Sequence, residues 1–190
     1  MRIFIHCPDV VTGGTELIHQ FAHCLMNKNI NAYVIYNQEN KAYISTPSAF
    51  EKYGVKYVTQ YVDAKDSVLV LAETQINLMS LCKLGKIIIW WMSVDNYRYY
   101  REQFPGNNLD FWELKHRPDI IHLCQSEYSR NFITNEFEIS NYIFLKDYIN
   151  EDILNFSKLY NFSDKIHPFI EFRKISQHNL TIRQKSLNFT

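Results

Sequence analysis

The sequence has no charge excess of either sign: Lys plus Arg number 20 and Asp plus Glu number 20 in 190 residues. A global positive field of the kind that draws a protein onto DNA or anionic lipid is therefore missing, and nucleic-acid binding is not expected. Cysteine is sparse and unpaired in pattern. Cys7, Cys24, Cys82 and Cys124 stand singly with no Cys-x-x-Cys, which excludes a zinc ribbon or a small disulfide scaffold and fits free thiols in a reducing cytoplasm. Long apolar runs are missing too. The most apolar stretch, Ile87 to Met92, falls far short of the ~20 residues a membrane-spanning helix needs, and the N-terminal run is broken by His6 and Asp9, unlike a secretory signal. Finally, neither Gly-x-Gly-x-x-Gly nor a P-loop glycine pattern occurs, which disfavours a flavodoxin-like, dinucleotide-binding or P-loop reading.

What is present is a chain able to bury a core. Aromatic residues make up 15% of it, with 13 Tyr and 13 Phe, a composition that argues against disorder. Short β-branched or aromatic runs recur at 2–7, 32–36, 55–59, 67–71, 86–91, 120–124 and 141–145 and read as strands. Between the first two, residues 15–28 place Leu17, Ile18, Phe21, Ala22 and Leu25 on one helical face and Glu16, His19, Gln20 and His23 on the other; this spacing predicts a helix with a solvated polar side. Residues 76–84 and 126–137 read as further helices, the latter opened by Ser126 as N-cap with Glu127 in its first turn. Alternation of strands and helices, with nearly continuous apolar strands, predicts an α/β protein: a Rossmann-like three-layer sandwich on a mostly parallel sheet. Residues 164–190 carry five Lys/Arg, two Asp/Glu and no glycine, and show no readable period.

In such sheets ligands sit beyond the carboxyl ends of the strands. After the first strand comes Val10-Val11-Thr12-Gly13-Gly14-Thr15-Glu16, a glycine pair where strand turns into helix. Such a loop can offer backbone N–H groups to a phosphate; a tight turn that merely needs glycine is the competing reading. Glu73 and Thr74 follow the fourth strand, and Ser93, Asp95 and Asn96 follow the fifth. Either carboxylate can bind the hydroxyl groups of a ligand or act as a base, or simply cap the helix that follows. Trp90 and Trp91, adjacent on a strand, face opposite ways and are expected in the core. His19 and His23 have a zinc-compatible spacing but no third ligand. Arg98 and Arg101 with Tyr97, Tyr99 and Tyr100 read as an ordinary surface helix, or as a patch able to touch phosphate or headgroups.

Three segments in order, Gly13-Gly14-Thr15-Glu16 with its helix, KIIIWWMSVDNY at 86–97 and IHLCQSEYSR at 121–130, resemble the N-terminal half of bacterial family-4-type glycosyltransferases. The resemblance covers about residues 1–155. It implies one half of a GT-B fold, with residues 1–163 as the acceptor-side domain. It also implies transfer of a sugar from a nucleotide-sugar donor to a surface-polysaccharide, glycan or lipid-linked acceptor, without a resident cofactor or metal. By position, Gly13, Gly14 and Thr15 would approach the donor diphosphate with backbone donors. Glu73 and Asp95 become the catalytic candidates, and Thr74, Ser93 and Asn96 the substrate-binding ones. The expected location is cytoplasmic, with at most peripheral contact at the inner membrane face.

The family's second domain, with its Glu-x7-Glu motif, has no counterpart in these 190 residues. Residues 164–190 are expected to be a divergent tail, as a truncated or frameshifted start of that domain would be. Half a cleft cannot align donor and acceptor, so the chain alone is expected to be inactive unless a separate chain supplies the donor half. A non-catalytic glycan-binding or interaction module, or a gene remnant, is the alternative. An uncovered apolar face would further predict self-association.

Overall fold

A computed structural model of the chain describes residues 1–8, 10–36, 46–104 and 109–146, with the backbone course alone for 109–112. All of them fall in one compact unit, Met1–Tyr148. The expected boundary at residue 163, and the divergent stretch beyond it, lie outside the described residues.

Among the described residues seven strands form one sheet: β1 (Arg2–Cys7), β2 (Asn31–Tyr36), β3 (Tyr57–Val58), β4 (Ser67–Ala72), β5 (Lys86–Trp91), β6 (Ile121–Cys124) and β7 (Tyr142–Phe144). Their order is β3-β2-β1-β4-β5-β6-β7, and every pairing is parallel. This is an α/β, Rossmann-like sheet. The central strand β4 (SVLVLA) is buried at all six positions, as a strand covered on both faces must be.

Helix α1 (Gly13–Asn27) links β1 to β2 and covers one face. Its Leu17, Ile18 and Ala22 pack with Ile5, Val34, Val70 and Trp90. The opposite face is covered by a 3₁₀ segment, Glu73–Leu81, kinked at Gln75, and by α2 (Val94–Gln103), α3 (Leu109–His116) and α4 (Glu127–Phe137). There Ile76, Tyr97, Leu114, Phe132 and Phe137 close over Leu69, Leu71, Ile89 and Trp91. Strand succession runs one way from β1 to β2 and the other way from β4 to β7. Right-handed crossovers then require covering helices on opposite faces, which is what the two clusters display. Trp90 and Trp91 are both core, one in each cluster, as pleating demands.

Several expectations need correction. The first helix starts at Gly13 and not at Thr15, because Thr12 is its N-cap: the Thr12 side chain accepts the Thr15 amide while the Thr15 hydroxyl accepts the Thr12 amide. The segment expected as a helix at 76–84 is 3₁₀, begins at Glu73 and ends at Leu81. The polar side of α1 is not solvated, since a second 3₁₀ segment, Ser48–Tyr53, lies on it. His19 is fully buried there, its ring stacked on Phe50 at 4.3 Å between centroids. Its Nδ1 lies 2.6 Å from the Thr15 carbonyl and its Nε2 2.8 Å from the Tyr36 hydroxyl. The carbonyl can only accept, so Nδ1 carries the proton and Tyr36 donates to Nε2.

Candidate functional site

The sheet order fixes where a ligand belongs. β1 and β4 are neighbours whose chains depart in opposite directions, so the topological switch point lies between their carboxyl ends. The β1–α1 turn with Gly13 and Gly14 stands on one side of it and the β4 exit at Glu73 and Thr74 on the other. Ser93, Asp95 and Asn96 follow β5, one strand further along. The topology thus brings all the sequence-predicted site residues to one edge of the sheet.

Gly13 and Gly14 are the first two residues of α1, so their amides have no acceptor inside the helix. Neither glycine has a positive φ. A Cβ built on Gly13 would meet nothing within 4 Å, and one on Gly14 only Thr12 Oγ1 at 3.8 Å. The tight-turn reading therefore fails for this pair. The contrast is internal: Gly54 needs its left-handed φ of 55°, and a Cβ on Gly85 would sit 2.8 Å from the Ser67 carbonyl. Thr15, in turn, serves the loop. Its hydroxyl donates to the Val10 carbonyl at 2.8 Å and its amide is taken by Thr12 Oγ1 at 3.3 Å. Thr15 shapes the turn, while Gly13 and Gly14 carry its open face. Val10 and Val11 beside them are exposed.

Glu73 is 3% exposed. Its Oε2 accepts the Met92 amide at 3.0 Å, and the Ser93 amide and its own also bind the carboxylate. Burial pushes its pKa up to about 7 against these donors, which pull it down. Glu73 does not cap the 3₁₀ segment it opens; it holds the entrance of α2. Thr74 beside it is half-buried. Ser93 is the N-cap of α2, its hydroxyl accepting the Asn96 amide at 3.2 Å. Asp95 and Asn96 are exposed. Asp95 Oδ1 accepts the Tyr128 hydroxyl of α4 at 3.0 Å, and Arg98 reaches the same hydroxyl at 3.5 Å.

Two residues at this edge had no motif to reveal them. His6, the penultimate residue of β1, lies 2.7 Å through Nδ1 from Gln75 Nε2, and both are buried. Gln75 Oε1 has no hydrogen-bond partner among the described residues. Burial lowers the His6 pKa to about 4, so it is a neutral acceptor for Gln75. A signal did exist: His6 and Gln75 are polar residues in or beside otherwise apolar strand ends.

The aromatic-basic residues of α2 divide. Tyr97 is buried and Tyr99 exposed, while Arg98 lies over the Phe132 ring and Arg101 over Tyr97. Between α2 and α4 runs an open groove of about 430 Å³, lined by Tyr97, Arg98, Arg101, Phe132 and Phe137 with Glu102 and Glu136. Among the described residues no group of three His, Cys, Asp or Glu could hold a metal ion, and no helix is long and apolar enough to cross a membrane.

The class these features define is an α/β, Rossmann-like protein with a polar edge at its switch point. Comparison with protein-family models, with curated proteins and with solved structures finds no match for this chain.

Proposed function

We propose that this chain is the acceptor-side unit of a GT-B-type glycosyltransferase, which transfers a sugar from a nucleotide-sugar to a glycan or lipid-linked acceptor. One observation carries the reading: Gly13 and Gly14 open a helix at the switch point of a parallel sheet, and nothing in the fold requires them to be glycine. A pair of unencumbered amides with empty space where side chains would stand is what close backbone approach to a diphosphate or a transferred sugar needs. Donors fixed there would stabilise charge developing on the departing diphosphate. The resemblance at 13–28, 86–97 and 121–130 supports the same assignment.

In this reading Asp95 and Asn96, exposed at the start of α2, face the acceptor, with Asp95 as the candidate base. Ser93 shapes their turn, and Thr74 lines the same edge. Transfer requires a donor-side unit to close over this edge, align the two substrates and exclude water. The test is calorimetric titration of the purified protein with UDP-, GDP- and CMP-sugars, beside Gly13→Val and Gly14→Val. Micromolar binding of one nucleotide-sugar, lost in both variants, is the expected result. No binding of any of them, with binding of a glycan retained, would instead make the chain a non-catalytic glycan-binding module.

A further inference from the structure

We propose that Glu73 is a positioning residue, a buried latch whose ionised carboxylate holds the Met92–Ser93 turn and through it sets the rim formed by Ser93, Asp95 and Asn96. The proposal deepens the functional reading above in treating that rim as the acceptor side, but the latch itself stands on geometry alone.

The tie joins the exit of β4 to the exit of β5, nineteen positions apart in sequence. From there the connection continues through hydrogen bonds. Ser93 caps Asn96, and Asp95 receives the Tyr128 hydroxyl from α4. Val94 and Tyr97 anchor the same turn of helix in the core at 2% and 1% exposure. The rim is therefore fastened from beneath by apolar packing, and from the sheet side by one carboxylate.

A carboxylate suits this task because it only accepts, and its two oxygens can take several N–H groups at once. A glutamine in its place would offer one accepting oxygen and two N–H donors with only backbone amides to face. Stability alone does not select this arrangement, since a buried carboxylate without a cation is costly. No salt bridge reaches Glu73 among the described residues. β4 and the remainder of the 3₁₀ segment carry no ionisable side chain apart from Glu73 itself, and β5 carries only Lys86, at its opposite end. α2 contributes Asp95, Tyr97, Tyr99, Tyr100, Arg98, Arg101 and Glu102; among the described side chains α3 contributes Glu113, Lys115 and His116. His6 of β1 is joined to Gln75, two residues on. None of these charges acts on Glu73, whose ionisation is governed by burial and by backbone donors. Proton uptake would turn one accepting oxygen into a donor facing other donors and release the turn, so the rim follows the ionisation of Glu73 close to neutral pH.

The experiment is nuclear magnetic resonance on the full chain between pH 5.5 and 8.5, following the Glu73 carboxyl carbon and the Met92, Ser93 and Asn96 amides. The expected result is one shared midpoint near 7 for all four signals, and loss of the amide titration in Glu73→Gln. A carboxyl carbon that is still protonated at pH 8.5 would overturn the latch, and so would amides that stay fixed while it titrates. Amides that still move in Glu73→Gln would also overturn it. Should that variant fail to fold, the wild-type carboxyl carbon and amides decide the question by themselves. No nucleotide-sugar enters the measurement, so failure of the latch and failure of the glycosyltransferase reading are separate outcomes.

Discussion

At the scale of single residues, the four described glycines divide by what the fold asks of them. Gly54 has a left-handed φ, and Gly85 has a carbonyl and two hydroxyls within 3 Å of where a Cβ would stand. Alanine at Gly85 should therefore destabilise by roughly 1–3 kcal/mol through overpacking. Gly13 and Gly14 have room and ordinary φ. Alanine there should leave stability unchanged or raise it by about 0.4–1 kcal/mol, because the unfolded chain loses freedom that the folded chain never used. If the pair exists to let a diphosphate approach, the same alanines should weaken nucleotide-sugar binding while the protein grows no less stable. Denaturant melts beside calorimetry separate the two effects. Alanines that lower stability and binding together would show that the glycines serve the turn.

At the scale of elements, α1 shows how far sequence reading reaches. Its apolar face, its strand neighbours and the edge where its first turn emerges follow from periodicity. All seven strands are legible for the same reason, each being a short apolar run between polar turns. The covering of its polar face is not legible, because nothing local announces that Ser48–Tyr53 will fold back over it. Gln20 reaches Tyr53 Oη, and Glu16 accepts from both Tyr53 and Lys52, so polar residues that read as solvated are in fact a contact surface. His19 is the extreme case, since its two nitrogens satisfy Thr15 and Tyr36 out of contact with water. His19→Phe keeps the stacking on Phe50 but takes from the Tyr36 hydroxyl its Nε2 partner, leaving it the hydrogen bond with Thr46, and should cost about 0.5–1.5 kcal/mol, read as a lower urea midpoint. An unchanged midpoint would mean that Tyr36 finds another acceptor. At the candidate site, the strand exits were legible and the roles were not. Whether Glu73 faces solvent or Met92 depends on a turn that closes nineteen residues later, which no local pattern encodes.

For the whole molecule, buried ionisable groups set how stability follows pH. His6 and His122 are buried neutral, and burial lowers each to about 4 from an ordinary 6.5. Between those values the unfolded chain binds protons that the folded chain refuses, so both favour folding above pH 6.5 and lose that advantage as pH falls toward 4. His19 acts in the same direction. Glu73 acts oppositely. Its pKa rises from 4.5 to about 7, so its protonated form is favoured in the fold, and the stability present below 4.5 is lost as pH rises toward 7. The shifts of His6, His122 and Glu73 each correspond to about 3 kcal/mol. From pH 4.5 to 6.5 the imidazoles outweigh the one carboxyl, and stability should rise, with a slope of about one proton at first that lessens toward 6.5. At pH 6.5 the unfolded imidazoles are still half protonated; above it their contribution and the opposing one of Glu73 fade together, so the profile flattens close to pH 7. The salt-bridged Asp66 and Asp119, whose pKa values lie below normal, add acid sensitivity only below that window. Urea unfolding from pH 4 to 8 should trace this profile. Glu73→Gln should steepen the rise and carry it on above pH 6.5, since only the imidazoles then act. A wild-type profile that falls between 4.5 and 6.5 would show that the histidines are not held neutral, and an identical profile in Glu73→Gln would show that Glu73 ionises as an ordinary surface carboxylate does.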